Sequence, residues 1–350
     1  MNRLTGSDGA PALAILGPGA TRLVKELDRV FAGWGLAAGA EEISAPPLFP
    51  VPDLEKFDVY TNFPHLAWVA GSLDLTDDQF KPVEGRFGPG AVAEARYGLP
   101  HATCYGAYLF HEGGQVGDDT LVTLVNRCFR NEDHYGGLRR LASFQMREIV
   151  ALGSFPHTQE VLARFTGRIQ AFAAALGIEL AKVPAGDPFF RNDGGRALMQ
   201  KLSPVKYEFQ YGGDLAIASV NTHRNFFGER CGIRLESGEH AYTACVAFGL
   251  ERWLAVLTEH FDADLDAALA AVRAAEAAVE AEAAEADAAV AEAAAAEASA
   301  PGTGAGEPSA PGTAAAESGA PGTAAAESGA PGTAAGESAA PGTDAAVGAS

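Results

Sequence analysis

Beyond residue 300 the sequence settles into a ten-residue period, "APGT", with proline at 301, 311, 321, 331 and 341. The segment is mostly Ala, Gly, Ser, Thr and Glu, with no Leu, Ile, Met or aromatic residue. Lacking apolar mass to bury, it cannot offset its own ordering entropy, so 300–350 is expected to be disordered. Any fold must come from what precedes. Residues 262–299 are Ala/Glu-rich and helix-prone. Leu265, Leu269 and Val272 there continue one apolar stripe that then fades, so this helix is expected to leave the body. The packed domain is expected to be residues 1–261.

Charge follows the same division. Residues 262–350 hold 15 acidic residues and one basic, Arg273, so only −6 of the chain's formal −20 falls on 1–261. An acidic balance argues against a broad nucleic-acid footprint, which needs clustered Lys and Arg. The four cysteines, Cys104, Cys128, Cys231 and Cys245, are too few and scattered for a disulfide framework and suit a reducing compartment. No apolar run approaches 18 residues, and Asp8 with the Gly/Pro punctuation spoils a signal peptide. The expected location is cytoplasmic, away from membranes.

Within the body, "TRLVKELDRVFAGWGL" (21–36) puts Leu23, Leu27, Val30 and Phe31 on one helical face. A short strand, "EEISAPPL", follows it. Strand-like runs recur at 121–130, 142–151, 213–221 and 241–248. Val161, Phe165, Ile169, Phe172 and Leu176 mark a second helix, and a last one begins near Gly249. Strands cluster without regular βαβ alternation. The pattern predicts an α+β fold with an antiparallel sheet.

Three groups of residues carry possible chemistry. "CFRNEDHYGGLRRLASFQMREIV" (128–150) packs four arginines and three carboxylates between apolar runs. If 121–130 and 142–151 pair antiparallel, alternation puts Cys128, Arg130 and Glu132 on one face and Phe144, Met146 and Glu148 on one face of the return strand. Arg130 can fork onto a phosphate, Glu132 can accept from an exocyclic amine, and Phe144 can stack on a base. A surface hairpin of balanced charge would carry the same residues. In "HAYTACVAFGLERWLAVL" (240–257), Arg252 stands in a helix's first turn, where a cation is unfavourable unless it answers an anion. An exposed arginine on an amphipathic helix fits too. Cys104, Glu148 and Cys245 have no ligand spacing, and spacing alone favours buried core thiols over a metal.

"CFRNE…LASFQMREIV" resembles motif 2 of class II aminoacyl-tRNA synthetases in its seryl-type form, and "CVAFGLERW" resembles motif 3. Helix 21–36 with "ISAPPL" is similar to motif 1. With "MRE", "DPFF" (187–190) and "KYEF" (206–209), residues 20–260 resemble the amino acid:[carrier protein] ligases, truncated homologues of zinc-dependent archaeal-type seryl-tRNA synthetases.

The resemblance implies a class II synthetase-like catalytic domain over 1–261, an antiparallel sheet flanked by helices. It implies ATP with Mg²⁺, a small amino acid activated as its adenylate, and transfer to the phosphopantetheine thiol of an acyl or peptidyl carrier protein. Arg130 would hold the α-phosphate, Glu132 read the adenine amine, Phe144 stack the adenine and Arg252 hold the γ-phosphate. Arg140 and Leu141 fall on the ATP-contacting loop. Ala216, Ile217, Ala218 and Ser219 flank the nucleotide, with no carboxylate where seryl synthetases bind a metal. Cys104, Glu148 and Cys245 fall on the family's three zinc ligands, making Glu148 catalytic beside Arg130 and Arg252. A motif 1 beginning near residue 21 leaves no room for a tRNA-binding arm, so no tRNA is expected; motif 1 implies a homodimer. Seryl-type tRNA aminoacylation and a silent nucleotide-binding paralogue are the alternatives. Arg191, Arg196, Lys201 and Lys206, against Asp193 alone, form the one stretch of spare positive charge. It is the expected dock for an acidic carrier.

Overall fold

The computed structural model describes residues 2–5, 11–76, 81–88, 90–186, 190 and 205–299, with backbone alone over 2–5, 11 and 286–299. The repeats at 300–350, all of "DPFF" but Phe190, and Arg191, Asp193, Arg196 and Lys201 lie outside the described residues.

Strands β1 (Asn2–Thr5) and β2 (Pro11–Ile15) form a hairpin ahead of helix α1 (Pro18–Ala37). Proline is tolerated at a helix's first position because its missing N–H would have no partner there. Then come β3 (Glu41–Glu42), β4 (Phe49–Pro50), α2 (Val51–Lys56), α3 (Val59–Asn62), β5 (Trp68–Ala70), β6 (Tyr97–Leu99) and α4 (Tyr105–Phe110). The long pair β7 (Asp119–Phe129) and β8 (Ser143–Gly153) leads into α5 (Phe155–Ala175), β9 (Ala181–Ala185), β10 (Lys206–Tyr211) and β11 (Leu215–Arg224). Helix α6 (Phe226–Cys231), β12 (Tyr242–Gly249), α7 (Leu250–His260) and α8 (Leu265–Ser299) complete the described elements.

Seven strands form one sheet in the order β3-β7-β8-β12-β11-β10-β9, antiparallel throughout except at β3–β7. The expected α+β architecture holds, with two corrections. The strand expected over 41–48 shrinks to Glu41–Glu42; Pro46 and Pro47 have no N–H to give a ladder. Strand β7 stops at Phe129, so Arg130 and Glu132 belong to the loop and not to its alternation, although the Arg130 amide still donates to the Ala142 carbonyl at 2.9 Å.

Period-2 alternation gives the sheet two buried faces. Ile149 and Ala151 pack under α1, α5 and α7, where Phe31 stacks on Phe248 at 4.1 Å among Trp34, Phe172 and Trp253. Val150 and Leu152 face the opposite core, with Phe57, Tyr105, Tyr108 and Phe227. Arg147, on the helix side, is only 2% exposed. It forks onto Asp28 at 2.7 and 2.9 Å and reaches Glu42 at 2.8 Å, so the buried cation is fully partnered.

Helix α8 does not leave at Val272. Ala268, Val272, Ala275 and Val279 are all buried against the main core. Arg22–Asp266, Arg273–Glu26, Arg29–Glu276 and Arg168–Glu280 pair across it. Residues 1–296 form one compact unit, so packing crosses the division expected at 261/262. Val272→Asp should therefore destabilise the chain by roughly 3 kcal/mol, the mark of a buried unpaired charge. Ala278→Asp, on the exposed face, should stay within about 0.5 kcal/mol. Urea denaturation of both variants checks this, and equal midpoints would show that α8 is not docked. Among the described residues no helix is long and apolar enough to cross a membrane.

Candidate active site and metal centre

Register and one close helix approach build the centre. Across β8 and β12, Cys245 stands opposite Val150 and Ala247 opposite Glu148, so Cys245 and Glu148 are diagonal neighbours on one face. Helix α4 comes down over them. A Cβ on Gly106 would lie 2.5 Å from the Ala45 side chain, so glycine is what lets α4 sit this low. The Thr103 and Cys104 amides both donate to Glu148 Oε1, at 2.9 and 3.2 Å. Glu148 Oε2 is buried without a hydrogen-bond donor of its own.

Ligand atoms of Cys104, Glu148 and Cys245 lie within 4.8 Å of one another, and all three residues are buried. Tetrahedral bonds of about 2.0–2.3 Å place donors roughly 3.3–3.8 Å apart, so a trio whose ligand atoms lie within 4.8 Å has at most about an ångström to close around an ion. The donor set also wants a cation. The bond with Cys104, then burial and Glu148, pushes the Cys245 thiol well above its usual range. Cys104 is pulled down by its bond to Cys245, but burial and Glu148 outweigh that and leave it raised. Burial raises Glu148 against the amides that stabilise its anion. Three acidic groups that cannot all ionise alone can do so around a divalent ion. Two thiols and a carboxyl are a donor set that suits a divalent ion such as zinc.

Four residues along β8 from Glu148, Phe144 lines a small cavity with Glu132, Leu138, Arg139, Leu141, Gly249, Glu251 and Arg252. Sequence residues thus meet here from the 131–141 loop, β8 and the start of α7. Glu132 is paired with Arg140 at 2.8 Å. Arg130 lies over the Phe144 ring at 5.1 Å and donates to the His101 carbonyl at 3.1 Å, three residues before Cys104. That contact ties the loop after β7 to the segment that carries Cys104. Arg252 donates to the carbonyls of Arg139 (3.1 Å) and Ala216 (2.9 Å). Burial, reinforced by Arg130, brings its guanidinium down to about 10. Of the "AIAS" run, Ala216 and Ser219 are half-buried, while Ile217 and Ala218 are core.

Several neighbours were not singled out from sequence. Leu138, Arg139 and Glu251 line the cavity. Glu251 is the other charged residue of "GLER", and it accepts from the Gln145 amide at 2.8 Å. Asn221 donates to Cys245 Sγ at 3.3 Å, and His223 Nε2 lies 3.8 Å from the same sulfur. Both sit in "VNTH", whose alternation toward the site was the available signal. Cys128 and Cys231 are buried thiols, each pushed up to about 12 by burial, as core residues would be. Lys206 opens β10 and pairs with Glu208 at 3.2 Å.

No family model matches the sequence. Among solved structures, M. kandleri SerRS in complex with A. aeolicus tRNASec is similar at TM-score 0.59 and 19% identity, over 69% of this chain and 52% of that one. The cytoplasmic serine-tRNA ligase of Naegleria fowleri, in complex with AMP, is similar at TM-score 0.54 and 14% identity, over 73% and 54%. This chain therefore has the class II aminoacyl-tRNA synthetase fold and spans about half the length of those synthetases. Amino acid–[acyl-carrier-protein] ligase 1 of Bradyrhizobium diazoefficiens is 32% identical over 249 residues, 67% of this chain and 76% of that protein. The chain belongs to the amino acid–[acyl-carrier-protein] ligase family.

Proposed function

We propose that this protein activates a small amino acid with ATP and passes it to the phosphopantetheine thiol of a carrier protein. Family membership supports the overall reaction. The observation that carries the site is the convergence of Cys104, Glu148 and Cys245, with Phe144 of the arginine-lined cavity four residues along β8 from Glu148.

Cys104, Glu148 and Cys245 would hold zinc, whose contribution is an open position for an α-amino group. Arg130 moves from the His101 carbonyl to the α-phosphate, and Arg252 turns one donor toward the γ-phosphate. Phe144 stacks the adenine, and Glu132 exchanges Arg140 for the adenine amine. Arg140, Leu141 and the Ala216–Ser219 strand close round the nucleotide, with Mg²⁺ accompanying the triphosphate. The amino acid's carboxylate oxygen attacks the α-phosphorus as pyrophosphate leaves, giving the aminoacyl-adenylate. The carrier's thiolate sulfur then attacks the acyl carbon, and AMP departs. The first step is mostly alignment and charge neutralisation, for which fixed arginines suffice without a side-chain nucleophile.

Pyrophosphate exchange across twenty amino acids, with and without a chelator, tests this. Exchange should appear with one or a few small amino acids and fall at least about tenfold when the metal is stripped. Exchange with none of them would overturn the reading. Charging of bulk tRNA in place of a phosphopantetheinylated carrier would overturn its second half.

A further inference from the structure

A hydrogen-bonded chain reaches Cys245 behind the proposed metal centre, and the chemistry above does not use it. Tyr108 follows Cys104 by one turn of α4 and is fully buried. Its hydroxyl is 3.0 Å from His223 Nδ1. His223 Nε2 lies 3.8 Å from Cys245 Sγ. The chain therefore runs Tyr108, His223, Cys245.

Its parts are held in place at some cost. The ladder between β11 and β12 pairs Thr222 with Ala244 and Arg224 with Thr243, leaving His223 as the extra residue of a bulge. A bulge re-aims a side chain, and the next residue, Arg224, sits at φ +53°, a conformation that costs a non-glycine residue energy. Phe227 stacks on Tyr108 at 4.0 Å and meets the His223 ring edge-on at 5.0 Å, while Phe57 packs against Tyr108. A casual tyrosine–histidine contact needs none of this.

The geometry points to a positioning role for Tyr108 and His223: Tyr108 fixes the His223 ring, which aims Nε2 at Cys245 and sets the direction and donor strength of that sulfur. This rests on the metal-centre reading. When the Tyr108 hydroxyl donates to Nδ1, the ring proton sits on Nε2 and faces the Cys245 sulfur. Hydrogen bonds to a metal-bound sulfur draw charge from it and restrict its orientation, as outer partners of metal ligands do elsewhere.

The test uses the full chain loaded with zinc or cobalt(II). Tyr108→Phe keeps the ring packing and breaks the hydrogen bond to His223. His223→Ala removes the donor to Cys245, and His223→Gln restores an N–H toward Cys245. Zinc release to a chromophoric chelator should accelerate about 10–100-fold in Tyr108→Phe and His223→Ala, with His223→Gln in between. The thiolate-to-cobalt absorption band should shift in the same order. Parental release and an unmoved band in Tyr108→Phe and His223→Gln overturn the positioning role while the centre stands. A parent chain that takes up neither ion fails the metal-centre reading, and the positioning role falls with it.

Discussion

Glu148→Gln is expected to abolish metal uptake and lower amino-acid-dependent pyrophosphate exchange by roughly 10³-fold or more, a modest share of what alignment supplies in well-ordered sites. The substitution is chosen for what it preserves. Its carbonyl oxygen can still accept the Thr103 and Cys104 amides that seat α4 on the sheet. What changes is Oε2, the atom buried without a donor of its own, which becomes an NH₂ with no lone pair for a cation. The fold should survive, with an unaltered near-ultraviolet circular dichroism spectrum. Bound zinc should drop from about one per chain to near none, as expected when one of three protein ligands is lost. The protection that zinc gives against thermal unfolding should vanish too, because a ligand stabilises only the state it binds. Zinc retained at parental stoichiometry with exchange within about threefold of the parent would remove Glu148 from the centre and the centre from the mechanism.

That centre shows where sequence reasoning stops. The β7–β8 pair was legible because an eleven-residue ladder repeats its period clearly and its loop collects arginines. Arg252 stood out as a cation against the helix dipole. The Cys104–Glu148–Cys245 trio had no such signature, since its members come from the N-cap of α4, from β8 and from β12. Only the β8–β12 register and the two amides ahead of α4 bring them together, so family resemblance alone could name them. Tyr108 and His223 were less legible still: a bulge between Thr222 and Arg224 depends on how two strands pair. Helix α8 was misjudged for a simpler reason. Its buried face alternates alanine with valine, and Ala268 and Ala275 carry too little apolar weight to extend the stripe seen at Val272.

Arg252→Ala should lower pyrophosphate exchange by about 10²–10³-fold, the usual loss when one fixed donor to developing charge is removed. The reason lies in how Arg252 rests without substrate. It is half-buried, donates through Nε and Nη1 to the Arg139 and Ala216 carbonyls, and no carboxylate is paired with it among the described residues. Burial outweighs those bonds and holds its pKa near 10, below the ordinary 12.5. For a base whose folded pKa is depressed, the cost is fully present below about pH 10 and is relieved as pH rises through that value. At neutral pH the nucleotide-free protein therefore carries all of it, on the order of 3 kcal/mol. A phosphate arriving beside Arg252 supplies the missing counter-charge and relieves that strain, so part of the ATP-induced gain in thermal stability should be specific to this residue. Arg252→Ala should shrink the ATP-dependent rise in Tm while leaving the zinc-dependent rise intact. Arg252→Lys should fall between parent and alanine, because an ammonium keeps the charge but lacks the fork that reaches two acceptors together. An alanine variant with the full ATP-dependent rise and near-parental exchange would place the triphosphate elsewhere on the sheet, and the role of the cavity formed by Glu132, Phe144 and Gly249 would go with it.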